Sequence, residues 1–226
     1  MDLLLLHGAL GSKRQMLPLQ ERLGGAVIDF TGHGERAIPD TGLTFDQFVA
    51  DIDRTYTVNR FRKAHLLGYS MGGYAALLYA AKHPERVESV VTIGTKLLWT
   101  EEALQKELRK LDPDVMVAKV PAFARLLAEV HGEDRWRDLV AAIANSMIVL
   151  AASPLLTNEV CARIQCQVLL CVGDSDTTAV PHDTRVFASG LQRANVHVLK
   201  NTRHPFEEVD LAALEKVMEG FWGLAR

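Results

Sequence analysis

The sequence predicts an α/β fold built on a mostly parallel sheet of six strands, with helices on both faces of the sheet and a helical insertion. Short apolar runs alternate with segments of helical periodicity at both ends of the chain, and this alternation is typical of parallel strands joined by helical crossovers. The first run, Leu3–Leu6, is apolar at every position. Such a run is expected of a strand that is covered on both faces.

Six segments are predicted as strands and five as the helices that cover them. The strands are residues 3–6, 26–29, 66–67 with their flanks, 87–93, 167–172 and 196–199. The helices are residues 16–23, 45–57, 74–83, 184–191 and 211–221. Thr44 is the predicted N-cap of the second helix, because Phe45, Phe48 and Ile52 follow it at helical spacing.

The alternation breaks in the middle of the chain, where residues 101–111, 121–130 and 135–151 are predicted as helices with no strong strand between them. An insertion after a strand's C-terminal end lies over the edge of the sheet where ligands bind. We therefore expect residues 1–98 and 156–226 to form an α/β core and residues 99–155 to form a cap over the site. The alternative is a helical layer at the periphery.

The composition bounds the class of protein. Of the 226 residues, 48% are hydrophobic and 23% are charged, and the formal net charge is -3. This charge gives no basic field for nucleic acid, and the apolar residues 3–6 are too few to span a membrane. We expect a small-molecule substrate, with no nucleic acid and no membrane as partner. The composition does not indicate an oligomeric state.

The three cysteines lie close together in the sequence, at Cys161, Cys166 and Cys171. Their odd number and the lack of paired spacing with histidines do not fit a disulfide framework or a metal site. Buried, reduced thiols are the expected state, and they predict a cytoplasmic location. We expect neither a metal nor a cofactor.

The centre of the chain is a glycine-flanked serine, Gly68-x-Ser70-x-Gly72, between an apolar run and an alanine-rich segment. This pattern places a serine on a sharp strand-to-helix turn, with its hydroxyl exposed at the end of the strand. The first backbone N–H groups of the helix are free to donate to an anion there. Ser70 is therefore the predicted nucleophile, and an ordinary tight turn is the alternative.

A serine nucleophile needs a base and an acid that orients the base. His204 follows the last predicted strand and is the predicted base. Asp174 and Asp176 both follow the strand before it, and we favour Asp176 because it lies further out, where it can reach the next loop. The order Ser70, Asp176, His204 is a known order of catalytic triads on α/β sheets.

An oxyanion hole needs two N–H groups aimed at the developing negative charge. Met71 supplies one from the turn, and Ala9 is predicted to supply the other from the loop after the first strand, with Leu10 as the alternative. Leu10, Tyr69 and Trp99 are predicted to contact the substrate. Arg203, beside the base, either attracts an anionic substrate or is an ordinary solvated arginine.

Apolar side chains of the insertion have two interpretations, as a lining of the cap or as packing between its helices. They are Trp99, Met116, Phe123, Leu126, Trp136 and Met147.

Five motifs in this order resemble the α/β-hydrolase superfamily. They are His7-Gly8, Gly32-His33-Gly34, Gly68-Tyr69-Ser70-Met71-Gly72-Gly73, Gly173-Asp174-Ser175-Asp176 and His204. The resemblance covers nearly the whole chain outside the insertion. It implies that Asp176 is the acid and that the N–H of Ala9 is an oxyanion donor. The first and third motifs are also similar to those of the menaquinone-pathway synthases that eliminate pyruvate, which carry arginine where this chain has Tyr74.

The residues and the resemblance together predict a serine hydrolase that cleaves a small carboxylic ester or thioester through an acyl-enzyme on Ser70. Two alternatives stay open. One is a carbon–carbon hydrolase or lyase that uses the same three residues. The other is a ligand-binding member of the fold without catalysis.

Overall fold

Six parallel strands form one sheet, in the order β2-β1-β3-β4-β5-β6. A computed structural model describes residues 1–223 of the chain. The strands are β1 (Leu3–Leu6), β2 (Ala26–Val27), β3 (Ala64–Tyr69), β4 (Val87–Ile93), β5 (Gln167–Gly173) and β6 (Ala194–Leu199). Every neighbouring pair is parallel. The predicted fold class is confirmed.

Ten α-helices lie within residues 1–223. They are α1 (Lys13–Leu23), α2 (Phe45–Asn59), α3 (Met71–Lys82), α4 (Glu101–Leu108), α5 (Pro113–Lys119), α6 (Pro121–His131), α7 (Trp136–Ala152), α8 (Asn158–Cys161), α9 (Pro181–Ala188) and α10 (Leu211–Trp222). The sequence-based prediction missed α5 and α8, which are short, and placed α9 three residues late. Pro181 occupies the first position of α9, where its missing N–H costs nothing.

The two faces of the sheet are covered by different helices. Along β1, Leu4 and Leu6 pack in a cluster with α2 and α3, whereas Leu3 and Leu5 pack in a second cluster with α1 and α10. Successive side chains of a strand point to opposite faces, so a strand buried on both sides is apolar throughout. The continuous leucine run follows from this geometry.

The direction in which the sheet grows reverses between β1 and β3. From β1 the chain first adds β2 on one side and then crosses to add β3, β4, β5 and β6 on the other. The loops that leave β1 and β3 therefore diverge, and a crevice opens between them at the C-terminal edge of the sheet. Ala9 lies in the loop after β1, and Ser70 directly follows β3.

Helices α4 to α7 occupy the connection between β4 and β5. Val140, Ile143 and Leu150 of α7 are buried in the same cluster as Tyr74 of α3. The longest helix of the insertion thus shares one core cluster with the helix that follows Ser70. The division of the chain into a core and a cap stays a prediction.

Candidate active site

Ser70 lies on a strained turn between β3 and α3. Its φ of 50° and ψ of -115° are unusual for a residue with a side chain, and such conformations cost about 1–3 kcal/mol. Two hydrogen bonds hold it in place. The N–H of Ser70 donates to the carbonyl of Ile93 at 2.8 Å, and Thr95 Oγ1 donates to the carbonyl of Ser70 at 3.0 Å.

Three glycines make the turn sterically possible. A Cβ on Gly68 would overlap the backbone of Gly72, and one on Gly73 would overlap Thr95 Oγ1. A Cβ on Gly72 would come within 2.5 Å of the carbonyl oxygens of Leu6 and His7 at the end of β1. The first turn of α3 thus touches β1 directly, which brings Ser70 beside the loop that carries Ala9.

The structure brings Ser70, His204 and Asp176 together. Ser70 Oγ lies 3.4 Å from His204 Nε2, and His204 Nδ1 lies 2.8 Å from Asp176 Oδ2. The first distance is long for a hydrogen bond, as is common in such sites without a bound substrate. The imidazole is 24% exposed, whereas the Asp176 side chain is 1% exposed.

The buried carboxylate of Asp176 has no unused oxygen. Oδ2 faces His204, and Oδ1 accepts the N–H groups of Thr178 at 2.8 Å and Ala179 at 2.9 Å. A buried carboxylate is stable as an anion only when such donors replace its water. The loop after β5 therefore fixes the position of this group.

Asp174, the alternative acid, lies elsewhere. It is exposed, and its carboxylate accepts the N–H groups of Asn201 at 3.0 Å and Thr202 at 3.3 Å. The hydrogen bond from Asn201 is the main reason that the pKa of Asp174 lies below its ordinary value. Asp174 thus joins the loops after β5 and β6 and does not contact His204.

The two predicted oxyanion donors line the same cleft as Ser70. Within residues 1–223, the N–H groups of Ala9 and Met71 have no hydrogen-bond acceptor. Met71 is the first residue of α3, so its N–H has no partner in the helix. Both groups are available to a ligand.

The peptide that carries the Ala9 N–H is oriented by His7. His7 Nδ1 lies 2.8 Å from the carbonyl oxygen of Gly8, and His7 Nε2 accepts the N–H of Phe30 at 3.1 Å. This network assigns the proton of the neutral ring to Nδ1. The carbonyl of Gly8 and the N–H of Ala9 belong to one peptide plane and point in opposite directions, so the N–H points away from His7.

Three buried histidines form a layer beneath the loop after β1. The His33 ring lies 4.8 Å from that of His7 and 6.0 Å from that of His131. His131, the last residue of α6, accepts the N–H of Gly34 at 2.9 Å, and its other nitrogen lies 2.9 Å from the carbonyl of Leu10. His131 therefore connects the insertion to the loop that contains Ala9 and Leu10, a role that the sequence did not indicate.

Burial keeps this layer neutral. It lowers the pKa of His7 to about 4 and lowers the pKa values of His33 and His131. Desolvation disfavours the charged imidazolium, and the neighbouring rings add to the effect. His33, from the Gly32-His33-Gly34 motif, is fully buried in this layer.

Two predicted substrate contacts lie outside the cleft lining. Leu10 is 7% exposed and packs in the core, where its backbone has a positive φ of 59°. Tyr69 is 6% exposed, and its hydroxyl donates to the carbonyl of His204 at 2.9 Å. Side chains alternate along β3, so Tyr69 points behind the base. Contact of these two residues with a substrate stays a prediction.

The cleft itself is mostly apolar. It is lined by Ala9, Phe45, Ser70, Met71, Tyr74, Lys96, Trp99, Glu107, Ile143, Ser146, Met147, Leu150 and Thr178. Trp99 and Met147 belong to the predicted cap lining. Met116 and Trp136 are buried between helices, whereas Phe123 and Leu126 are 40% and 47% exposed.

The sequence analysis missed several residues of the lining, and each had a usable signal. Lys96 and Thr178 follow the ends of β4 and β5, as residues of a site at this edge of the sheet do. Ile143, Ser146 and Leu150 share one face of α7 through helical spacing. Reading strand ends and helix faces together would have found them.

The remaining side chains show no metal site. Among residues 1–223, no group of three or more histidine, cysteine, aspartate or glutamate side chains is placed to hold a metal ion. Cys161, Cys166 and Cys171 are unpaired within the same range. None of the described helices has both the length and the apolar character that a membrane span requires.

A serine on a strained turn, a histidine against its hydroxyl and a buried carboxylate behind the histidine are the arrangement of serine-nucleophile enzymes on a parallel sheet. The sequence model of the alpha/beta hydrolase family matches residues 3–216. The chain belongs to this family.

The relatives of this chain include enzymes that catalyse different reactions. The chain is 28% identical over 156 residues to the 2-succinyl-6-hydroxy-2,4-cyclohexadiene-1-carboxylate synthase of Yersinia enterocolitica, covering 66% of this chain and 56% of that protein. It is 34% identical over 113 residues to the proline iminopeptidase of Lactobacillus helveticus, covering 44% and 38%. The chain thus spans about half the length of the curated relatives it matches.

Solved structures show the same fold. The crystal structure of E-2-(acetamidomethylene)succinate hydrolase superimposes with a TM-score of 0.79 at 23% identity, over 98% of this chain and 91% of that one. At this identity the likeness concerns the fold alone.

Substituting Gly68→Ala tests the packing of the turn. The added Cβ overlaps the backbone of Gly72, so we expect a loss of about 1–3 kcal/mol in the free energy of unfolding, measured with urea. Gly220→Ala is the control, because Gly220 lies in α10 with nothing within 4 Å of an added Cβ. It should gain up to about 1 kcal/mol from helix propensity. Equal effects of the two variants would contradict the steric account.

The histidine layer predicts a pH-dependent stability. The unfolded state binds protons on histidine below about pH 6.5, whereas burial keeps folded His7 neutral down to about pH 4. The free energy of unfolding should therefore fall as the pH drops from about 6.5 towards 4, by about 3 kcal/mol for His7 alone. Urea unfolding at a series of pH values measures this slope.

His7→Asn should flatten that slope by up to about 1.4 kcal/mol per pH unit. Above about pH 7.5 the curves of the two proteins should run parallel, because histidines are then neutral in both states. An unchanged slope in the variant would show that His7 does not carry the effect.

Proposed function

We propose that this protein is a cofactor-free serine hydrolase that cleaves a small carboxylic ester or thioester. The observation that carries the proposal is the continuous line from Ser70 Oγ through the His204 imidazole to the buried Asp176 carboxylate, with distances of 3.4 Å and 2.8 Å. These distances support the roles of nucleophile, base and orienting acid that we assign to the three residues for acyl transfer.

In the first half of the reaction, His204 Nε2 takes the proton of Ser70 and the oxygen attacks the substrate carbonyl. Asp176 holds the proton on Nδ1 and stabilises the imidazolium that forms. The tetrahedral intermediate collapses when His204 gives its proton to the leaving alcohol or thiol. Water then repeats the sequence on the acyl-enzyme, which releases the acid and restores Ser70.

The N–H groups of Ala9 and Met71 are the proposed oxyanion donors. Neither has an acceptor within residues 1–223, and both residues line the cleft with Ser70. Donors that are fixed before the reaction stabilise developing charge without the cost of reorganisation. His7 supports this role by fixing the carbonyl of the Gly8–Ala9 peptide.

A second candidate is carbon–carbon cleavage or elimination with the same three residues, and the similarity to the Yersinia enterocolitica synthase favours it. The residue after Gly72-Gly73 argues against this second candidate, because the chain has Tyr74 where the synthases carry arginine. Tyr74 is 2% exposed, and its hydroxyl accepts the N–H groups of Leu155 and Leu156 at 3.2 Å and 3.1 Å. This residue therefore packs α3 against the end of the insertion and offers no cation to a substrate. Product analysis on esters and on β-diketones separates the two reactions.

A non-catalytic ligand-binding protein would not require the Ser70–His204–Asp176 geometry. Labelling by a fluorophosphonate probe distinguishes it from an enzyme, because the probe reacts only with an activated serine. We expect the substrate to be a small molecule, and we propose no nucleic-acid partner.

Ser70→Ala should abolish fluorophosphonate labelling and reduce ester turnover by several orders of magnitude, since the members of a triad act as a unit. The matched control is Ser175→Ala, which removes an exposed hydroxyl whose one hydrogen-bond partner within residues 1–223 is Asp174. Labelling of the control should equal that of the unmodified protein. Undiminished labelling of Ser70→Ala would remove this serine from the proposed mechanism.

Asp176→Asn and Asp174→Asn form a second matched pair. Asparagine at position 176 offers His204 a neutral partner and no longer stabilises the imidazolium, so kcat should fall by orders of magnitude. Asp174→Asn should change kcat by less than about tenfold, because Asp174 does not contact the base. Steady-state kinetics on an aryl ester compares them, and the reverse order of effects would make Asp174 the acid.

A further inference from the structure

Three lysines converge on the loop that carries Asp176. Lys96 Nζ donates to the carbonyl of Thr178 at 3.0 Å, and Lys106 Nζ donates to the carbonyl of Thr177 at 2.8 Å. Lys110 Nζ donates to Thr178 Oγ1 at 2.8 Å. Lysines from the segment after β4 and from the insertion thus surround one short segment.

The carboxylate in this cluster is already paired. Glu107 is buried and lines the cleft, but Lys110 Nζ lies 2.8 Å and 3.0 Å from its two oxygens. Arg203, the cation beside the base, is similarly engaged, because Glu208 binds it through two hydrogen bonds of 2.5 Å and 2.7 Å. Lys110 and Arg203 are therefore already paired with carboxylates and are not available to a bound anion.

Lys96 is different. It is half-buried and lines the cleft together with Ser70. No carboxylate within residues 1–223 lies within 4 Å of its ammonium group. Desolvation is the main reason that its pKa lies below its ordinary value, opposed by the more distant Glu107 and Asp183 and reinforced by Lys106 and Lys110. A cation in an apolar cleft is costly unless an anion accompanies it.

Trp99, next to Lys96, provides a second donor without an acceptor. Its indole N–H is buried and has no hydrogen-bond partner within residues 1–223. The ring also lines the cleft, with its centre 5.3 Å from Lys96 Nζ. Buried polar groups are nearly always hydrogen-bonded in native proteins. A neighbouring ammonium group and an unsatisfied N–H together define a place for an anionic acceptor.

We propose that the substrate carries a carboxylate in addition to the bond that is cleaved, and that Lys96 and Trp99 bind this carboxylate. The inference rests on the proposed function, since it names the substrate class of the same cleft. A carboxylate fits better than a phosphate, because one ammonium and one N–H match its single charge, whereas phosphate sites usually combine arginine forks or several backbone donors.

The kinetic test uses two esters of equal length, mono-p-nitrophenyl adipate and p-nitrophenyl hexanoate, which differ in a terminal carboxylate. We expect the unmodified protein to have the higher kcat/KM on the adipate, after subtraction of the spontaneous rate. Lys96→Met keeps an unbranched side chain and removes the charge. It should lower the adipate-to-hexanoate ratio of kcat/KM by about tenfold to hundredfold, the range of a charged hydrogen bond.

Trp99→Phe removes the indole N–H together with part of the ring. The lost volume affects both esters, so the same ratio should still fall several-fold through the lost donor. The control is Lys106→Met, which removes a lysine of the same cluster that does not line the cleft. Its ratio should stay within twofold of that of the unmodified protein. An unchanged ratio in Lys96→Met, or an equal fall in the control, overturns the inference.

A binding measurement separates this inference from the proposed function. In the Ser70→Ala background, calorimetry compares the Kd of monomethyl adipate with and without Lys96→Met, and we expect at least a tenfold weakening. Binding that depends on Lys96, without ester turnover by the unmodified protein, would sustain the inference and refute the hydrolase. Ester turnover without a preference for the adipate would sustain the hydrolase and refute the inference. If the protein shows no ester turnover and no binding of monomethyl adipate, both the inference and the proposed function are refuted.

Discussion

The contact between the first turn of α3 and the end of β1 is the constraint on which the site depends. Gly72 lies against the carbonyl oxygens of Leu6 and His7, and no larger residue fits. This contact places the helix that follows Ser70 directly beside the loop of Ala9, so that Ala9 and Met71, from different parts of the chain, line the same cleft. The strain at Ser70 is tolerated because Ile93, the last residue of β4, and Thr95, in the loop after it, hold the backbone in place.

A similar close approach of backbone segments determines the positions of Asp176 and His204, the predicted acid and base. A Cβ on Gly173 would overlap the carbonyl of Thr202, and one on Gly94 would lie 3.2 Å from Asp176 Oδ2. The loops after β5 and β6 therefore pack backbone to backbone, and Asp174 bonds them together. Packing of glycines, rather than the hydrogen bond between His204 and Asp176, determines where these two side chains meet. The hydrogen bond then fixes the orientation of the imidazole.

Much of the fold could be predicted because its signals are local. The apolar run Leu3–Leu6 and the turn at Ser70 report burial and backbone geometry at their own positions. The short helix Pro113–Lys119 was missed because one turn or two of helix carries little periodicity. The environment of Tyr69 needed the structure for another reason: which face of the sheet a strand residue occupies depends on register, and the sequence next to Ser70 does not reveal it. The pairing of Glu107 with Lys110 needed the structure too, since several carboxylates were equally near in sequence.

The proposed chemistry and the proposed selectivity have separate sources in this molecule. The Ser70–His204–Asp176 line comes from loops at the ends of core strands, and the backbone contacts around it leave little freedom for change. The cleft opposite it is lined by one face of α7 and by the segment that contains Lys96 and Trp99. These residues are not part of the strained turn, so they can vary without disturbing it. That separation accounts for relatives that share the fold and differ in reaction. The choice of substrate then depends on the few polar groups of an otherwise apolar cleft wall.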